Sequence, residues 1–215
     1  HIPFADWAAL LDPSTSDLTA RCLDIMGKLG FKNTHHVSKK AIQFLKSEQE
    51  SDGSWFGRWG VNYIYGTWSV LTGLSSIGED VSQDYIQNAV LWLKRVQNSD
   101  GGWGESCQSY ENANLKAIGP STASQTAWAV LGLLATGDWE SEEVKKGIEY
   151  LLKTQNNDGT WSEDEVTGTG FPTVFYLKYH MYSKYFPLLA ISKFRNCIQK
   201  NNKSELICKE IFGYV

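Results

Sequence analysis

Three copies of one pattern constrain this chain more than anything else in it. They run from Ala41 through Gln49 to Asp52-Gly53-Ser54-Trp55, from Ala89 through Gln97 to Asp100-Gly101-Gly102-Trp103, and from Gly147 through Gln155 to Asp158-Gly159-Thr160-Trp161. Each sets a small residue, an aliphatic one, an aromatic-Leu pair, a Gln and then Asp-Gly-x-Trp in the same order, with Gln and Trp six residues apart every time. The copies begin 48 and then 58 residues apart (Ala41 to Ala89, Ala89 to Gly147). Self-similarity at such a period means a stack of like units, each too small to bury its own apolar face, with one core running through the neighbours.

The unit reads as a helix and its exit. Ala41, Phe44, Leu45 and Glu48 fall at i, i+3, i+4 and i+7, one face of a helix with a small residue where a neighbour packs close. The Asp-Gly step stops the helix, because Gly accepts the left-handed conformation of a C-terminal cap or turn. A Gln reaching backbone groups beyond its helix end, with the Trp stacked on it, would tie one helix pair to the next. Between the copies lie more apolar segments. Residues Asp17 to Leu29 predict a helix opened by Ser16 or Asp17 and closed by Gly30. Thr67 to Ile77 and Ser121 to Ala135 are apolar on several sides, and Phe186 to Lys193 looks similar, so all three are expected to be buried all round. Strand signals are nearly absent. The expected fold is all-α: a two-layer α/α barrel, or toroid, of helical hairpins with the buried set inside and the Gln/Trp set outside. It is expected to be incomplete, spanning residues 1–200, with 201–215 as a tail whose run Leu206 to Phe212 is amphipathic.

Composition removes several function classes. The net charge of −4 and scattered Lys and Arg leave no electrostatic footprint for nucleic acid. Cys22, Cys107, Cys197 and Cys208 have neither metal-like nor disulfide-framework spacing, which fits a reduced, cytoplasmic setting. His35 and His36 are adjacent and do not share a helix face, so they read as surface. No signal peptide or membrane-spanning run is visible, which leaves open a chain lying on a membrane face. Glu163-Asp164-Glu165 reads as a solvated acidic loop. Long loops follow each Trp, over 55–65, 103–120 and 161–182, and long loops on a helical scaffold are where sites sit.

Those loops carry a resemblance. DGSWFGRWGVNYIYGTW, DGGWGESCQSY, STASQTAWAVLGLLA and TGTGFPTVFYLKYHMYSKYFPLLAIS resemble the C-terminal part of bacterial squalene-hopene cyclases, with tetraprenyl-curcumene cyclases equally near, from about Ile2 to Lys200. The resemblance implies a pair of α/α barrels enclosing an apolar cavity, where a linear polyprene such as squalene is protonated and closed ring by ring through carbocations. It implies no cofactor and no metal. It also implies a peripheral position on the cytoplasmic side of the membrane, and a possible homodimer. By position, Trp59, Phe171 and Phe175 would line the cavity, with Leu177, Tyr179 and Tyr182 shaping the A/B-ring end and Tyr65 standing near the catalytic acid. Aromatic faces suit this chemistry, since they stabilise a cation without bonding to it.

One part of the family pattern is missing. The proton donor is the middle Asp of an Asp-x-Asp-Asp-Thr-Ala motif, which this sequence does not contain. Neither Asp12 and Asp17 nor the 163–165 acids have its spacing. The expectation is a C-terminal portion that needs an N-terminal half carrying the acid motif, and does not cyclise substrate alone. Arg21 matches the residue that pairs with the acid, and Asp12 and Asp17 would cap that helix and hold the acid-site network. Two other readings stand beside this one. The first is a protein prenyltransferase β-subunit with zinc ligands near Glu105-Ser106-Cys107 and His180. The second is a non-catalytic toroid that binds prenyl lipids or a partner.

Overall fold

The computed structural model describes residues 12–200, so the tail reading of 201–215 lies outside the described residues. Among the described residues seven α-helices follow in order: α1 (Ser16–Lys28), α2 (His36–Ser47), α3 (Tyr63–Ser76), α4 (Asp84–Arg95), α5 (Ala123–Ala135), α6 (Glu142–Lys153) and α7 (Tyr182–Lys200). They form two layers. α1, α3, α5 and α7 pack side by side in one row, and α2, α4 and α6 lie against its outside.

Small residues set the spacing of the inner row. A Cβ on Gly27 of α1 would stand 2.2 Å from the Ser76 carbonyl oxygen of α3, and one on Gly73 of α3 would stand 2.3 Å from the Ala20 carbonyl oxygen of α1. The two backbones therefore touch at both ends of their contact. α3 and α5 are enclosed on all sides, with Leu71, Leu74, Trp128 and Leu133 at or near zero exposure. Each such Leu contributes roughly 1.5–3 kcal/mol by burial. The outer helices bury one stripe each, for example Val144, Ile148 and Leu151 of α6.

The three repeats share one local geometry. Trp55, Trp103 and Trp161 donate their indole N–H to the carbonyls of Leu45, Leu93 and Leu151 at 2.7, 2.8 and 2.7 Å, which satisfies a carbonyl near the end of the preceding helix. Gln49 donates to Gly53 O at 2.9 Å and across to Tyr85 O of α4 at 2.7 Å. Gln97 does the same with Gly101 O and with Glu143 O of α6, both at 2.8 Å. Gln155 bonds Gly159 O at 3.0 Å. The glycines do not cap the helices. The C-caps are Glu48, Val96 and Thr154, and Gly53, Gly101 and Gly159 close a turn several residues later at φ 97°, 87° and 82°.

Three sequence expectations need correction. A two-stranded antiparallel hairpin, β1 (Gly168–Phe171) and β2 (Phe175–Leu177), stands where strand signals were nearly absent. Its strands are too short to show an alternating pattern, and Gly168 and Gly170 break what there is. α7 is not buried all round: Phe186, Ala190, Phe194 and Ile198 face inward, while Leu188 is 62% exposed, because the helix ends the inner row. Glu163 is not a solvated loop residue. Its carboxylate accepts Ser124 N at 2.8 Å, Ser124 Oγ at 2.9 Å and Thr167 Oγ1 at 3.1 Å, and so caps α5.

Candidate active-site wall

The N-terminal ends of α3 and α5 are held by carboxylates from distant loops. Glu105 accepts Asn62 N at 3.2 Å and Ile64 N at 3.0 Å, which caps α3 as Glu163 caps α5. Both carboxylates follow a repeat Trp by two positions, in Trp103-Gly104-Glu105 and Trp161-Ser162-Glu163. Burial raises the pKa of each, and the backbone amides they accept pull it back. Gln125, fully buried, braces the same region through Val61 O and Glu105 O, both at 3.0 Å.

At α1, Asp17 does more than the cap expected of it. The helix starts at Ser16 with Thr15 as its N-cap, whose own side chain makes no cap bond, and Asp17 Oδ1 accepts the first-turn amide of Leu18 at 2.9 Å. Asp17 Oδ2 accepts the amides of Arg58 and Trp59, both at 2.9 Å, and so pins the loop after the first repeat onto α1. Asp12 pairs with the Arg58 guanidinium at 3.0 Å. Arg58, 5% exposed, also donates to Gly170 O of β1 at 2.8 Å. Its Cζ lies 4.3 Å from the Trp59 ring centroid and 5.2 Å from that of Phe171. Phe171 and Phe175 are themselves 5.4 Å apart across the hairpin.

Arg21 stands one helical turn beyond Asp17. Its Cζ is 4.1 Å from the Trp68 ring centroid, and its charge acts on the Tyr65 hydroxyl. Burial raises the pKa of Tyr65, while the guanidinium works in the opposite sense. Tyr65 packs edge-on against Trp68 and Trp128, which stack on each other at 5.8 Å. Tyr182 meets Trp128 at 5.6 Å and Tyr179 at 4.8 Å, and Phe186 closes against both tryptophans. Burial and the neighbouring Tyr65 push the Tyr182 hydroxyl well up.

The structure thus gathers the expected residues into two linked groups. Arg21, Tyr65, Tyr179 and Tyr182 form one, and Trp59, Phe171 and Phe175 the other, with half-buried Leu177 on β2 between Phe175 and Tyr179. α1 joins them, with Asp17 serving the second and Arg21 the first. Trp68, Trp128, Phe186 and Arg58 belong to the same assembly and were not singled out from sequence, and Glu105 was named there only in the zinc-ligand reading. The two tryptophans were hidden in helices that read as plain core. The doubled Trp-x-Glu was the one available signal for the carboxylate caps.

Comparison with known proteins gives this arrangement its family. The family model for the squalene-hopene cyclase C-terminal domain matches residues 1–196. A squalene--hopene cyclase of Zymomonas mobilis is 54% identical over 203 residues, covering 94% of this chain and 31% of that protein. That of Alicyclobacillus acidocaldarius is 48% identical, covering 93% and 32%. Dammaradiene synthase of Dryopteris crassirhizoma is 44% identical, covering 92% and 32%. Among solved structures, ent-copalyl diphosphate synthase from Streptomyces platensis superposes with a TM-score of 0.59 at 18% identity, over 85% of this chain and 34% of that one. Type II terpene cyclase MstE from Scytonema gives 0.56 at 18% identity, over 84% and 53%. The chain belongs to the squalene-hopene cyclase family, as its C-terminal domain, and the likeness in structure extends to terpene cyclases of other specificity. It spans under a third of the length of these curated relatives.

Proposed function

We propose that this chain supplies one wall of a triterpene cyclase cavity, in which a linear polyprene such as squalene is closed ring by ring through carbocations. The observation that carries this reading is the aromatic wall itself. Trp68, Trp128, Tyr65, Tyr182 and Tyr179 run in ring contact from Arg21 towards the hairpin that bears Phe175 and Phe171. Ring faces lower the energy of a passing cation by roughly 0.5–2 kcal/mol each without trapping it, and exclusion of water prevents early quenching. Arg21 and Tyr65 are placed to serve an acid. A guanidinium favours the carboxylate left after proton transfer, and the Tyr65 hydroxyl can hold the acid's hydrogen-bonded water. The acid comes from an Asp-x-Asp-Asp-Thr-Ala motif in the segment that the relatives carry upstream, with which this chain closes the α/α barrels. The whole enzyme sits on the cytoplasmic face of the membrane that dissolves its substrate, as a monotopic protein and in our reading a homodimer. Among the described residues, no helix is long and apolar enough to cross a membrane.

Against the prenyltransferase reading, Cys107 is turned to the Val166 carbonyl at 3.5 Å, and among the described residues no group of three His, Cys, Asp or Glu could hold a metal ion. The test is a turnover assay on squalene. Cyclised product is expected from the protein carrying both this chain and the acid motif, and none from the 215 residues alone. Product from the 215 residues would sink the division of labour, and none from the longer protein would sink the activity.

A further inference from the structure

A small piece of sheet joins the two halves of the wall. Val61 N donates to Thr167 O at 3.0 Å and Thr169 N to Trp59 O at 3.4 Å, so residues 59–61 lie antiparallel to β1. The bridge partners at the centre are two glycines, Gly60 and Gly168. Each has a tyrosine ring laid on it. A Cβ at Gly60 would stand 2.4 Å from Cδ2 of Tyr65, and a Cβ at Gly168 would stand 2.4 Å from Cδ2 of Tyr179. Both are about 1 Å inside the ~3.5 Å of carbon–carbon contact.

The backbone has no room to yield in place of the rings. The Tyr110 hydroxyl, stacked on Tyr176, donates to Gly57 O at 2.6 Å and Gly60 O at 2.8 Å. Asp17 holds the amides of Arg58 and Trp59. On the other side, Gly168 is paired with Leu177 of β2, whose carbonyl oxygen would lie 2.7 Å from the added Cβ. Neither glycine has a positive φ, so the requirement is for space and not for a left-handed backbone.

We propose that Gly60 and Gly168 are a pair of positioning residues, which set the depth of the Tyr65 ring at the acid end and of the Tyr179 ring at the hairpin end from one shared strand bridge. The pair fixes the distance between the point where the reaction starts and the wall that shapes its first rings. The two sites differ in slack. Tyr65 is hemmed in by Trp68 and Trp128, and its displacement carries its hydroxyl away from Arg21. Tyr179 is 42% exposed and can swing outward.

This inference rests on the cyclase reading for the roles of the two tyrosines, and the test separates the two. In the protein carrying both this chain and the acid motif, Gly60→Ala is expected to lower turnover about 100-fold, the usual loss for an ångström-scale misplacement of a working group. Gly168→Ala is expected to raise the share of incompletely cyclised product severalfold. Adding it to Tyr179→Ala should change the product ratio no further, because the ring it displaces is gone. An unaltered product ratio in Gly168→Ala, with only a lower melting temperature, would overturn the assignment. Crystal structures of both variants give a readout that needs no activity. Rings shifted off the bridge support the positioning role, and rings left in place refute it. A parent protein that yields no cyclised product would count against the cyclase reading, while the ring displacement would still decide the positioning.

Discussion

The Arg58 guanidinium serves several partners in the wall at once: an ion pair to Asp12, a bond to Gly170 O, and the faces of Trp59 and Phe171. Only a planar guanidinium can serve all of these at once, because its donors form a rigid fork and its plane stacks. Arg58→Lys is therefore expected to cost about 2 kcal/mol, read as a lower urea midpoint, with Gly170 O left without its donor. A second residue-scale expectation concerns pH. Burial opposes ionisation of Asp24, but the Lys28 ammonium and the Ser76 hydroxyl outweigh it and hold the carboxyl below the usual carboxylate range. The folded-state pKa is thus below the unfolded one. The stability this gives is present above the unfolded value and is lost as the pH falls through the folded one. Asp24→Asn should be less stable than the parent at pH 7 and converge with it below about pH 4, in melts across that range.

Among the elements, the repeat units are not equal. Gln97 links α4 to the first turn of α6 through Glu143 O, and Gln49 links α2 to α4 through Tyr85 O. Gln155 bonds Gly159 O within its own turn. Gln97→Ala is expected to cost about 1–2 kcal/mol and Gln155→Ala less than half of that, measured by denaturant unfolding. Equal losses would mean that the bond across to the next helix contributes nothing. The repeat Trp residues behave alike in all three units, since each returns its N–H to the helix it follows. Gln and Trp thus carry separate hydrogen-bonding duties, and the reach of the Gln to backbone beyond its own helix, expected from the sequence, joins the units at Gln49 and Gln97.

At the scale of the whole molecule, the inner row of the described residues leaves apolar side chains exposed at both ends. α1 turns Leu18, Ile25 and Leu29 outward, the last 72% exposed, and α7 turns out Tyr185, Leu188 and Leu189. On α1 these residues recur at helical spacing, the same signature that on α3 and α5 marks burial. Under the proposed division of labour, both faces are covered by helices of the upstream segment. The 215 residues alone should then bind an apolar dye such as anilinonaphthalene sulfonate, and the longer protein should bind far less. Equal dye binding would mean that these faces stay open in the whole enzyme.

The helical class, the alternation of buried and amphipathic helices and the three repeat exits were legible in the sequence, because each rests on periodicity or on Gly and Trp at fixed offsets. Arg21, Tyr65 and the hairpin aromatics were picked out by resemblance, and the structure groups them as described. Local pattern could not supply the rest. The doubled Trp-x-Glu marks Glu105 and Glu163 as alike, but nothing in it says that they bond helix starts 41 and 39 residues away, or that Asp17 receives amides from Arg58 and Trp59. The hairpin was missed because strands of four and three residues carry too few positions to show a period of two. Periodicity is a property of neighbours along the chain and fixes which face of each helix is apolar. Which loops meet over the helix ends is decided by packing between segments far apart in sequence, and only the tertiary structure brings Gly60 to Gly168 and a tyrosine ring to each.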